Sequence, residues 1–71
     1  MAEKTIGEVL AELRGDKTQR EVAEDLGITT SAVSMYENGE RVPRDEIKMR
    51  IAKYYGKTVG DIFFKQEVHL K

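Results

Sequence analysis

Thr18-Gln19-Arg20-Glu21-Val22-Ala23-Glu24-Asp25-Leu26-Gly27-Ile28-Thr29-Thr30-Ser31-Ala32-Val33-Ser34-Met35-Tyr36-Glu37 has the periodicity of two short amphipathic helices joined by a tight turn. Thr18 and Glu21 stand at capping-box spacing, which satisfies backbone donors at a helix start. Val22, Ala23 and Leu26 then fall on one face. Gly27 is the residue that takes a left-handed conformation and stops the helix. Ile28 supplies an apolar plug in the turn, and Thr29 or Thr30 caps the second helix. There Ala32, Val33 and Tyr36 share one face, while Thr30, Ser31, Ser34 and Met35 lie on others. No charge appears on this outward side before Glu37. A helix facing only water usually carries Lys and Glu, so this side is kept clear for close approach to a surface.

The flanks extend the same pattern. Thr5 and Glu8 repeat the capping-box spacing, and Ile6, Val9, Leu10 and Leu13 recur at helical intervals, predicting a first helix over residues 5–14 that Gly15-Asp16 ends. The short link through Thr18 predicts that this helix tucks against the second. After Glu37, Asn38-Gly39 is a turn dipeptide, and Pro43 keeps Val42 extended. A fourth helix is expected from Asp45 to Tyr55. Ile47, Ile51, Tyr54 and Tyr55 face inward on this reading, and Lys48, Arg50 and Lys53 outward. Gly56 stops it, and a short fifth helix follows from Thr58 to Phe63 or Phe64. From Phe64 to Leu70 apolar and polar residues largely alternate, a strand signature. Such a segment pairs with its twin in a dimer, lies extended over the fifth helix, or stays disordered. The expected fold is all-α, with five helices in one domain over residues 1–64 and a tail over 65–71.

Composition narrows the function. The chain has 71 residues and no cysteine, so a disulfide framework and thiol chemistry are excluded. The first residues are too charged for a signal peptide and no apolar run approaches a membrane span, so a cytoplasmic location and no membrane partner are expected. Net charge is −1 with a pI of about 5.8, an unusual balance for a nucleic-acid binder. Distribution offsets this. Residues 1–27 hold four Lys/Arg against seven Asp/Glu, whereas residues 41–57 hold six (Arg41, Arg44, Lys48, Arg50, Lys53, Lys57) against two. The one histidine, His69, sits in the alternating tail with no metal-ligand partner at helical spacing. No catalytic group, metal site or cofactor is expected, and no enzyme.

The run TQREVAEDLGITTSAVSMYENGERVP resembles the helix-turn-helix of phage-repressor-type (Cro/cI-like, Xre-like) transcriptional regulators. The shared features are Thr18-Gln19, the small Ala23, Gly27 at the turn, and Glu37-Asn38-Gly39 after the second helix. The resemblance spans roughly residues 5–64 and implies a lambda-repressor-like five-helix domain that binds double-stranded DNA. It implies that the second helix of the motif enters the major groove, with Thr29, Thr30, Ser31, Ser34 and Met35 at base-contact positions. Gln19, Asn38, Arg41 and Arg44 would contact phosphate. It also implies a pair between Arg14 and Glu37. Hydroxyls and a thioether give none of the bidentate contacts that discriminate bases strongly, so DNA shape and water are expected to carry much of the specificity.

One module of this size touches few base pairs, which points to a homodimer on a palindromic operator. Ile62, Phe63, Phe64, Val68 and Leu70 are the candidate interface, as apolar residues surplus to a small core. A partner-masking module of the antitoxin or anti-repressor kind, using the same fold, is the alternative. Its acidic N-terminal half would suit a basic protein partner.

Overall fold

A computed structural model describes residues 4–64 and is entirely helical. The elements are α1 (Ile6–Arg14), α2 (Gln19–Leu26), α3 (Thr30–Asn38), α4 (Asp45–Tyr55) and α5 (Gly60–Phe64), the last wound as a π-helical turn. The expected C-terminal strand or tail lies outside the described residues.

Local signals set most helix ends. Thr5 and Thr18 each accept a bond from the backbone amide three residues on, while the Glu8 and Glu21 carboxylates accept one from the cap residue's own amide, giving two complete capping boxes. Thr29 caps α3 by accepting from the Ala32 amide at 3.0 Å. Gly27 closes α2 at φ 75°, a conformation that costs a side-chain-bearing residue strain. The Ile28 amide then bonds the Ala23 carbonyl at 3.0 Å, turning the chain sharply into α3. Thr58 and Asp61 exchange the same reciprocal cap at the start of the last turn.

The core gathers Leu10, Val22, Ala23, Leu26, Val33, Ile51, Ala52, Ile62 and Phe63. This corrects the expectation that Ile62 and Phe63 serve a dimer interface. Ile62 is 1% exposed and Phe63 fully buried, so neither can meet a partner. The reason is volume. The buried apolar side chains of the first four helices are all aliphatic and none exceeds leucine or isoleucine, and the short α5 adds Ile62 and the ring of Phe63 to close their centre. Burying each is worth about 1.5–3 kcal/mol. Of the other proposed interface residues, the side chain of Phe64 and all of Val68 and Leu70 lie outside the described residues.

Two further expectations are revised. Lys48 does not face outward. It is 9% exposed, its stem in the core and its ammonium 5.4 Å from the centre of the Phe63 ring, where charge and ring quadrupole attract. Nor does α1 pack chiefly on α2. Its main partner is α3, and the contact is made at Gly7. A Cβ built there would stand 2.2 Å from the carbonyl oxygen of Glu37, so only glycine permits this approach.

The outer parts of the bundle are tied by polar side chains. The Tyr54 hydroxyl donates to Asp25 at 2.6 Å and receives the Lys17 ammonium at 2.8 Å. Arg50 reaches from α4 to the Leu26 carbonyl at the end of α2, 3.1 Å away. Tyr55 packs beside this network, and burial pushes its phenol pKa up from the ordinary value. The sign follows directly. A raised folded pKa means that the folded chain holds its proton longer than the unfolded one. This stabilisation is complete below pH about 10 and fades as pH rises through the higher folded value. Alkaline denaturation should therefore be less steep above pH 10 in Tyr55→Phe than in the parent chain, a difference readable by circular dichroism.

Candidate nucleic-acid interface

Helix α3 presents Thr30 and Ser31 to solvent, with Ser34 and Met35 half-buried beside them, and Val33 4% exposed on the opposite side. Val33 and, beside it, the half-buried Tyr36 join the core as expected, whereas Ala32 is half-buried like Ser34 and Met35. Thr29 is exposed at the N-cap. Its oxygen accepts the capping bond, so it has its hydroxyl proton and methyl group to offer a ligand. Ser34 accepts a long bond, 3.4 Å, from the Asn38 amide one turn on.

Glu37 is the single charged residue of α3, and its side chain is 6% exposed. Arg14 grips it with two bonds, Nε to Oε2 at 2.8 Å and Nη2 to Oε1 at 3.1 Å. A third Arg14 bond, 2.7 Å, goes to the Lys17 carbonyl and fixes the link between α1 and α2. The Gln19 amide adds a donor to Glu37 Oε1 at 2.9 Å. These bonds clip together the end of α1, the start of α2 and the end of α3. The Glu37 hydrogen bond, and then its charge, push the Arg14 guanidinium pKa above the ordinary value. One consequence is electrostatic: the only carboxylate of α3 is neutralised and turned inward, leaving the outward face without negative charge.

The clip gives a test. Glu37→Ala should lower stability by about 2–3 kcal/mol, below the range for fully buried pairs because Arg14 keeps some contact with water. Removing Arg14 as well should cost little more, since the second change takes away the stranded charge. A thermal or urea double-mutant cycle reads both effects.

The expected phosphate contacts are less uniform. Arg41 and Arg44 are exposed and line one recess with Tyr36, Val42, Glu46 and Ile47, beside the end of α3. Arg44 is also the N-cap of α4, and its side chain makes no capping bond. Asn38 is exposed. Gln19 is half-buried with one amide proton committed to Glu37, so it retains its oxygen and second proton for an outside ligand. Among the other cations of residues 41–57, Lys48 is buried and Arg50 is engaged by Glu46 and Leu26. Lys53 and Lys57 stay exposed, and Arg41 and Arg44 are the cations that share a recess with Tyr36 of α3.

Two site features are absent from the sequence reading. The Gln19 bond to Glu37 leaves no signature at that spacing. Gly7 does leave one: a glycine inside an otherwise apolar helical stripe usually marks close backbone packing.

A helix-turn-helix family model matches residues 10–62, most of the chain. The chain belongs to the helix-turn-helix family of the phage-repressor type. Comparison with curated proteins and with solved structures gives no match. Members of this helix-turn-helix family are DNA-binding transcriptional regulators, which matches an α3 whose solvent-facing side carries no acidic charge. No helix among the described residues is long and apolar enough to cross a membrane. No group of three or more metal-ligating side chains among them is placed to hold an ion.

Proposed function

We propose that the chain binds double-stranded DNA sequence-specifically as a homodimer on a palindromic operator and acts as a repressor. The observation that carries this reading is the neutral, hydroxyl-rich face of α3, whose one carboxylate is folded into the Arg14–Gln19 clip. Such a helix enters a major groove about 12 Å wide without repelling phosphates. Thr29, Thr30, Ser31, Ser34 and Met35 face base edges. Their hydroxyls serve as donors or acceptors, and the Thr methyls and Met35 pack on thymine methyls. Arg41, Arg44, Asn38 and the remaining polar atoms of Gln19 hold phosphates and set the register. Two chains related by a two-fold axis would read half-sites about 34–36 Å apart, and their presence on the duplex would exclude other proteins from it.

Salt dependence tests the electrostatic part. Arg41 and Arg44 are the two cations per chain that this reading sets on phosphates, so log Kd against log salt should have a slope near 2 per bound chain, about 4 for a dimer. A duplex recovered by selection from a random pool, titrated at several salt concentrations, gives that slope. Absence of binding at low salt would favour the alternative, masking of a partner protein through the same fold.

A further inference from the structure

Helix α4 has an outer face used neither by the core nor by the candidate DNA surface. Asp45, Met49 and Lys53 stand four residues apart along it, which places them on one ridge. All three are exposed. Met49, at 61%, is one of two large hydrophobic side chains open to solvent among the described residues, the other being Val42. Neighbouring Glu46 and Arg50 are paired with each other at 3.1 Å. The side chains of Asp45 and Lys53 make no hydrogen bond or ion pair among the described residues.

A ridge that reads acid, methionine, base is antisymmetric about its centre. When two such ridges cross antiparallel with the methionines in contact, each acid comes beside a base. Four residues separate Met49 from either charge, about 6 Å along the axis. The flexible stem of Lys53 spans the offset that an ordinary helix crossing introduces. Antiparallel alignment also sets each α4 N-terminus beside the other C-terminus, which favours the pair further. A parallel arrangement would instead put like charges together.

We propose that this ridge is where two copies of the chain meet, across a two-fold axis through Met49, with Asp45 paired to the partner subunit's Lys53. The inference deepens the homodimer part of the reading above and rests on it. Stable interfaces bury about 1,200–2,000 Å², more than one ridge offers. The association is therefore weak in isolation and loosened by salt.

The chain has no cysteine, so Met49→Cys introduces a single thiol whose oxidation reports contact at the axis. Val42→Cys, equally exposed at 61%, is the control. Without DNA, the Met49→Cys variant should form covalent dimer at least about ten-fold faster than the control. Adding Lys53→Asp should remove most of that advantage, and adding Asp45→Lys as well should restore it by exchanging the charges. Equal cross-linking rates in the two cysteine variants would overturn the proposal, as would indifference of the Met49→Cys rate to the charge changes. Because no DNA is present, either result leaves the DNA-binding reading to its own titration.

Discussion

Replacing Gly7 with alanine should destabilise the domain by about 2 kcal/mol, although the same change at an exposed helix position would stabilise it by up to about 1 kcal/mol. The new methyl would lie 2.2 Å from the Glu37 carbonyl oxygen and 3.0 Å from that of Tyr36. Both are backbone atoms, so relief requires α1 to move away from α3. That movement pulls Arg14 from Glu37 and loosens the core that Leu10 and Val33 share. A chain this small has a net stability of about 4–10 kcal/mol, and a loss of 2 kcal/mol should lower the melting temperature by about 8–16 °C. Gly7→Ser should behave likewise. An unchanged or raised melting temperature in Gly7→Ala would show that α1 does not approach α3 as closely as described.

Ser31→Glu should separate binding from folding. Ser31 is exposed on the first turn of α3, a turn that carries no acidic residue. A carboxylate there interacts favourably with the helix dipole and should stabilise the fold by about 0.3–1 kcal/mol. The same carboxylate would face the phosphates and base acceptors of an approaching duplex. Like-charge juxtaposition costs several kcal/mol, so affinity for a selected duplex should fall by at least about 100-fold. Thermal melting and duplex titration of one preparation give both numbers. Ser31→Ala, which removes the hydroxyl without adding charge, should lose less than about ten-fold. A Ser31→Glu chain that melts higher and still binds would place the DNA elsewhere on the molecule.

Much of the architecture is legible because its determinants are local. Thr5–Glu8 and Thr18–Glu21 cap helices through contacts three residues apart, and Gly27 turns the chain by its own conformational freedom. Alternation of Val33 with Ser31 and Ser34 assigns the faces of α3 from spacing alone. The Arg14–Glu37 bond joins residues far apart in sequence, and the family resemblance, not periodicity, points to it. Where the sequence misleads, two environments accept the same residue. Ile62 and Phe63 suit a core or an interface equally well, and only the unfilled centre of the bundle decides between them. Lys48 carries a charge, yet its long apolar stem lets it cover Phe63. A short link between α1 and α2 limits their separation but leaves open which neighbour α1 packs on, and Gly7 directs it to α3. At the candidate site, spacing identifies the outward residues of α3. It carries no sign that the Gln19 amide bends toward Glu37.

We propose the outward side of α3 as the surface that meets DNA. Amide NMR shifts, followed while a selected duplex is titrated into isotopically labelled chain, test it most directly. The largest changes should fall on Thr29–Met35 and on Asn38, Arg41 and Arg44, while the outer face of α2 around Glu24 and Asp25 stays still. Shifts concentrated on α2 or α4, with Thr30, Ser31 and Met35 unmoved, would contradict the account.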